Sequence, residues 1–514
     1  MTAEKKNQTP LILIGLMLAI LMSAMDNTIV TTAMGTIVAD LGGMEQFVWV
    51  TSAYMVAVMA GTPIFGKLSD MYGRKRFFLF GIITFLLGSI LCGLAGSIMQ
   101  LSIFRAIQGI GGGALMPIAF TIIYDIFPVE QRGKMTGLLG AVFGTSSIFG
   151  PLLGAFITDS LGWHWVFYIN VPIGIVSLLL ITAYYRESLA HTKQQIDWSG
   201  AVTLVGAVIC LMFALELGGE KYAWNSAVII ALFAGFAVLF VAFLLAETKA
   251  REPIISFGMF KVRLYATSCL LALLYGSVFI VATVYIPIFV QGVFGGSATN
   301  SGIILMPMMV GSVVGSMMGG MLTSRLSYRA VMAISVVCFV CGVFALSTLT
   351  NDTSRLVLTV FSILTGFGVG FSFSVLSMAS VHHFDMRQRG AATSTNSFLR
   401  SLGMTLGITI FGIVQRNLLA DKMSAAFAGT GQAGGQAEAT FGNAQEALSS
   451  DKRAMIPPEI LDKITDALSG SIAHTFMWAL IPAVCSIMVV IAMPKDRIVR
   501  GAAARPSKPS KQQG

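Results

Sequence analysis

Charge is what this 514-residue chain lacks, with Asp, Glu, Lys and Arg making up 11% of it against about 25% in an ordinary soluble domain. With 55% hydrophobic residues and a mean hydropathy of +0.80, a water-soluble fold is excluded, and no stretch remains for a separate soluble domain. Cysteine is sparse too. Cys92, Cys210, Cys269, Cys338, Cys341 and Cys485 all fall inside apolar runs, so they read as small buried hydrophobes and not as a disulfide or metal framework. No nucleophile constellation or His-rich metal set is present, and His382 with His383 lies in a basic loop without further ligands. The expectation is therefore no enzyme, no metal and no cofactor. A glycine-rich phosphate loop is also missing, because no Gly-Lys-Ser or Gly-Lys-Thr follows the glycines.

Hydrophobic length is what the chain has. Runs of about 20 mostly apolar residues, each enough to cross a bilayer, begin near Leu11, Phe47, Phe77, Leu101, Met135, Val166, Trp198, Ala227, Leu264, Ser301, Ala330, Leu356, Ala391 and Ser471. The first follows Lys5 and Lys6 but continues to about Ile37, too far for a cleaved signal. With fourteen spans both termini share a side. Placing them in the cytoplasm puts 24 of the 33 Lys and Arg inside, in the tails and in connections such as Lys67/Arg74/Lys75/Arg76 and Arg387/Arg389. Outside lie Lys221 and Arg355, plus a long connection of about 415–470, which is a poor topology reporter. The net charge of +9 then describes orientation and implies no nucleic-acid partner.

A repeat is visible. Gly66 to Lys75 reads GKLSDMYGRK and Gly320 to Arg329 reads GMLTSRLSYR, with glycine, leucine and basic residues at matched offsets. This divides the chain into a six-helix half (residues 1–186), two extra spans with linkers (187–263), a second six-helix half (264–493) with the external loop 415–470, and a basic cytoplasmic tail (494–514). Duplicated halves place one substrate site at their interface in many transporters.

Two arginines and one carboxylate remain inside the membrane. Asp26 lies about fifteen residues into span 1, roughly 22 Å from the cytoplasmic end. A carboxylate at that depth is protonated, paired or facing water. Ser23, Asp26, Asn27 and Val30 share one wedge of the helix, so the site reads either as a polar packing cluster or as a titrating group lining a cavity. Arg105 in span 4 falls at a similar depth. It is expected to tune a nearby carboxylate, with Gln108 on the same face, or else to satisfy carbonyls at a helix interface. Arg400 is the charge of the second half, where no carboxylate occurs between Glu252 and Asp352 or within the spans. Any proton-binding acid of the core therefore belongs to the first half.

Taken together, the motifs resemble the fourteen-span drug:proton antiporter branch (EmrB/QacA type) of the major facilitator superfamily, over nearly the whole chain. The stretches that carry the resemblance are GKLSDMYGRKR (Gly66 to Arg76), LSIFRAIQGIGGG (Leu101 to Gly113), FGPLLGA (Phe149 to Ala155), MDNTIV (Met25 to Val30), WHWVFYINVPIG (Trp163 to Gly174), DWSG (Asp197 to Gly200) and RSLGMTLG (Arg400 to Gly407). The resemblance implies an all-α polytopic membrane protein of the major facilitator fold, with two six-helix halves and two inserted helices. It implies that Asp26 is the proton and substrate carboxylate with Arg105 as its partner. Gly66, Asp70, Gly73, Arg74 and Asp125 would form a charge-linked latch holding the outward-facing state, and Gly150, Pro151 and Gly154 would mark a bend that closes the cytoplasmic side. Ser146, Ala155, Thr31, Gly35 and His164 depart from the branch pattern, which leaves the substrate range open.

The function implied is proton-coupled efflux of lipophilic, monovalent cationic or neutral compounds, by a monomeric protein in the bacterial inner membrane. The alternatives are a dedicated exporter of one metabolite or antibiotic and, with less support, an uptake symporter. The Glu-x-x-Glu-Arg motif of fourteen-span peptide symporters is missing from span 1.

Overall fold

The computed structural model describes residues 3–42, 48–187, 196–219, 221–295, 298–427 and 457–497. Fourteen of its helices or helix pairs are long and apolar enough to cross a membrane, and no β-strand occurs among the described residues. The first half consists of α1 (Ala3–Leu41), α2 (Val48–Tyr72), α3 (Arg74–Gly93), α4 (Ile98–Ile126), α5 (Val129–Leu161) and a span split into α6 (His164–Tyr168) and α7 (Asn170–Tyr184). The extra pair is α8 (Trp198–Leu217) and α9 (Ala227–Lys249). The second half runs through α10 (Arg263–Gly292), α11 (Ala298–Leu322), α12 (Tyr328–Leu346), α13 (Arg355–Val381), α14 (Arg389–Phe427) and α15 (Pro458–Ala492).

Short polar punctuation starts these helices. Ser97, Asp197, Ser226, Ser327 and Ser354 each accept a backbone N–H of the first turn through their side chains, which satisfies donors the helix itself leaves free. Gly73 separates α2 from α3 at φ 108°, a backbone region that side-chain-bearing residues rarely enter.

Helix exteriors carry the hydrophobic effect into the lipid. Large apolar residues such as Leu87, Leu94, Leu179 and Val238 are exposed, as expected where the solvent is hydrocarbon. The extra pair sits at the edge: only 11% of the apolar window of α9 is buried, against 78% for α4. Val56, Met59 and Ala60 of α2, Leu204 and Val208 of α8 and Phe398 of α14 pack together. The linker after α9 is tied down by charge. Glu247 accepts the N–H groups of Ile254 and Ile255 at 3.2 and 3.3 Å, and Lys67 of α2 pairs with Glu252 at 2.6 Å.

In the connection of about 415–470 the amphipathic stretch PPEILDKITDAL (Pro457 to Leu468) reads in sequence as one short helix within a flexible loop; it is helical from Pro458, but continuous with the last span. α14 continues to Phe427, and α15 begins at Pro458 with proline in its first turn. At 39 and 35 residues the two helices are about 58 and 52 Å long, well beyond a hydrocarbon core of about 30 Å. Their projecting turns hold each other. Lys463 lies 5.6 Å from the ring centre of Phe427, Gln415 donates to Ser471 at 3.3 Å, and Ile464 and Leu468 are buried. Asp421, Glu459, Asp462 and Asp466 belong to these projecting turns, so helices of the second half do carry acids, outside their apolar parts. Residues 428–456 and most of the tail at 494–514 lie outside the described residues.

Candidate functional site: a sealed carboxylate and an inter-half gate

Asp26 sits where α1, α2, α3, α4 and α7 converge, and it has no solvent exposure. One carboxylate oxygen pairs with Nη1 of Arg105. The other accepts from Nε2 of Gln108 at 2.7 Å and Nδ2 of Asn170 at 2.9 Å. Ser89 Oγ accepts from the same two amides, at 2.7 and 3.2 Å. Arg105 also donates to Gln108 Oε1 at 2.6 Å and to the carbonyl of Val50 at 3.3 Å, and its guanidinium lies 4.1 Å from the ring centre of Tyr54. Arg105, Gln108, Asn170 and Ser89 are all fully buried.

This arrangement settles where the first-half charges lie relative to one another. Asp26 and Arg105 meet, as equal depth on neighbouring spans suggested. Asp26 does not line an open cavity in this conformation. A carboxylate out of water needs its lone pairs met by donors, and one cation and two amides meet them here. Asn170 is the residue the sequence reading passed over, although it stands inside the quoted stretch WHWVFYINVPIG. It opens α7 directly after the break at Ile169, which sets its amide against the acid. The side chain of Asn27 lies outside the described residues.

Gly150 and Gly154 of α5 pack on α1: an added Cβ would collide with Thr28 Oγ1 at the first and with Thr32 Oγ1 at the second. Pro151 lies within α5, which is continuous from Val129 to Leu161. Gly150 and Gly154 thus sit in an α1/α5 seam close to Asp26. The contact between the halves uses another part of α5.

That contact lies at the face carrying the basic loops. Gly66 of α2 meets Gly390 of α14, and Gly133 of α5 meets Gly320 of α11, so closely that a Cβ on any of the four would collide with backbone opposite. Gly66 and Gly320 are the matched glycines of the repeat, and each touches the other half. Their partners form a repeat the sequence reading missed, Gln131-Arg132-Gly133 and Gln388-Arg389-Gly390.

Charge locks the first of these crossings. Asp70 accepts the N–H groups of Gly390 and Ala391 at 2.9 and 2.8 Å, where the amino end of α14 favours an anion. Arg74, fully buried, pairs with Asp125 and with Asp70 (3.3 Å), and donates to the carbonyls of Thr121 (3.1 Å) and Met386. Arg389 reaches back to Asp125 at 3.2 Å. Glu187 accepts the N–H groups of Arg74 and Lys75 at 3.1 and 2.9 Å. The structure therefore brings together Gly66, Asp70, Gly73, Arg74 and Asp125 and adds Arg389, which sequence reading had left among the topology signals, and Glu187, which it had passed over.

Arg400 stands apart on α14. Its Nη1 and Nη2 donate to the hydroxyl and carbonyl of Ser372, both at 3.0 Å, and its guanidinium lies 4.6 Å from the ring centre of Phe373. It enters no ion pair among the described residues, which also contain no group of three or more His, Cys, Asp or Glu placed to hold a metal.

Two bundles meeting across glycine crossings, with an ion-locked loop after the second span, define a major facilitator. The family model described as Major Facilitator Superfamily matches residues 16–408, and the chain belongs to that superfamily, in its fourteen-span branch. It is 61% identical over 498 residues to Multidrug resistance protein 3 of Bacillus subtilis (strain 168), covering 97% of each chain. It is 38% identical over 423 residues to the Multidrug transporter protein MdtP of the same organism, covering 82% of this chain and 78% of that one. Among solved structures, the human organic anion transporter MFSD10 (TETRAN) matches with a TM-score of 0.57 at 14% identity, covering 94% of this chain and 100% of that one. The proton:xylose symporter XylE gives 0.57 at 15% identity, with 92% and 96% covered. At such identities the likeness is one of fold.

Proposed function

We propose that this protein is a proton-coupled multidrug efflux antiporter of the bacterial inner membrane, with both termini cytoplasmic and the glycine crossings on the cytoplasmic side. It works as a monomer, alternating access between its two six-helix halves. The observation that carries the reading is the sealed Asp26 cage: a deep carboxylate held by a cation and two amides is a group that can exchange one proton for one conformational change. The multidrug names of the two Bacillus relatives support export of lipophilic compounds.

In this mechanism the ion-locked face is shut while the outer side is open. The sealed Asp26 cage then opens to that side, Asp26 takes a proton, and its pairing with Arg105 is broken. The halves then rock, the proton leaves to the cytoplasm, and the cavity reloads. Moving one charge across 100 mV supplies about 2.3 kcal/mol, roughly fortyfold in concentration for a neutral compound. A monovalent cation exchanged for one proton feels no net voltage. With one deep acid, neutral and monovalent compounds are favoured over divalent ones.

The test is substrate-induced proton release from the purified protein in detergent, wild type against Asp26→Asn. The wild type releases protons on substrate addition and the variant does not. Normal release from the variant removes Asp26 from the coupling step.

A further inference from the structure

We infer that Arg400 is the docking point for a carboxylate carried by the transported compound, so that amphiphiles with an aromatic body and one acidic group form a substrate class of this protein. The inference rests on the efflux reading and names the chemistry of its second-half subsite.

Three observations carry it. Arg400 is 8% exposed and has no acidic partner among the described residues, in a half whose apolar helix interiors contain no carboxylate. A buried guanidinium without a counterion is held at a cost that an arriving anion offsets. Second, the group is only partly used. Of the five N–H donors of a guanidinium, the two bonds to Ser372 employ two. The planar guanidinium is steadied on the Phe373 ring, 4.6 Å away, and its further N–H groups are donors of the kind that pair with a carboxylate.

The third observation is position. Arg400 lies eleven residues into α14, about 16 Å from its basic end, near the middle of a core about 30 Å thick. Its platform faces the other half. Phe373 makes an edge contact with Phe279 of α10 at 5.7 Å, and an added Cβ on Gly140 of α5 would lie 3.8 Å from Phe373 Cβ. The Arg400 site is therefore at the junction of the halves, with aromatic rings for the body of a ligand. Asp26 and Arg105, by contrast, neutralise each other inside the first half. The unspent charge that a substrate meets is that of Arg400.

The probes are a rhodamine bearing a free carboxylate and the methyl ester of the same dye, transported by the full-length protein in proteoliposomes. Arg400→Gln is expected to raise KM for the acid at least about tenfold, the worth of a charge-assisted hydrogen bond, and to leave the ester unchanged. Arg400→Lys is expected to keep part of the acid transport. Equal effects on both dyes, or no effect on the acid, overturn the inference and assign Arg400 a structural role between α13 and α14. If Arg400→Gln does not fold, fluorescence anisotropy on the wild type decides: the acid must bind at least about tenfold more tightly than the ester, and equal or weaker binding overturns the inference. Absence of transport of either dye by the wild type counts against the efflux reading, while the anisotropy comparison still decides the role of Arg400.

Discussion

The hydroxyl of Tyr328 lies 3.2 Å from Nδ1 of His382, and this pair is the second-half counterpart of Arg74 on Asp125. With Gly320 in register with Gly66, Tyr328 takes the place of Arg74. With the Gln-Arg-Gly repeat in register, His382 takes the place of Asp125. The outer ties correspond as well. Glu187 follows the last span of the first half and accepts the Arg74 N–H, while Asp496 follows the last span of the second and accepts the Tyr328 N–H through its carbonyl at 3.1 Å. One half is locked by permanent charge, the other by a hydroxyl and an imidazole.

That difference predicts a pH dependence for the gate. Burial and the neighbouring His383 hold His382 below the ordinary imidazole value, with Asp496 pulling the other way. The closed face disfavours the charged ring, so His382 supports closure fully above a pH of about 6.5. That support is lost as the pH falls toward the lowered value. Nitroxide labels at Lys134 and Met321, on the two sides of the Gly133/Gly320 crossing, are expected to show more long distances at pH ~5.5 than at ~7.5. His382→Asn is expected to flatten this change. A pH response that survives the substitution assigns it to other groups.

Closure also depends on bare backbone. Gly320→Leu places a side chain against Gly133, where no flexible atom can yield. The same labelled pair is expected to shift toward the open distribution by about fivefold to 150-fold in population, from an overpacking cost of roughly 1–3 kcal/mol. An unchanged distance distribution would show that α5 and α11 need not approach this closely.

The Asp26 cage predicts a role for Asn170. Asn170→Leu leaves that carboxylate oxygen with Gln108 alone and removes a donor from Ser89. The loss of a hydrogen bond to a charged group, about 1.5–3 kcal/mol, is expected to lower transport by about tenfold or more in proteoliposomes at matched protein density. Transport at the wild-type rate would mean that Arg105 and Gln108 suffice.

Much of this was readable in the residues. Fourteen apolar runs became fourteen spans because length and composition alone decide whether a helix satisfies its backbone inside lipid. The meeting of Asp26 with Arg105 followed from depth, since few partners exist for a charge there. The projecting end of α14, and the continuity of the Pro457–Leu468 helix with the last span, were not legible. Both segments are mixed in polarity, and they stay helical by packing on each other through residues such as Phe427 and Ile464, information that no single run contains. Arg389 was hidden for the opposite reason: in a loop rich in basic residues, a latch residue and a topology signal look alike. Only the repeated Gln-Arg-Gly, spaced like the two loop glycines, set it apart.

The length of α14 has a mechanical meaning. One helix without a proline carries Gly390 of the gate, Arg400 at mid-membrane and Phe427 at the far tip. In the proposed rocking of the halves it would be a lever of about 58 Å, and a tilt of about 10° around the Gly66 contact would swing its tip through about 10 Å. The tip is braced to α15 through Phe427, and three turns before it Arg416 donates to the carbonyl of Gly219 at 2.8 Å. In the proposed rocking, the Arg416 bond would tie the turn between the two extra helices to the movement of the crossings on the opposite face.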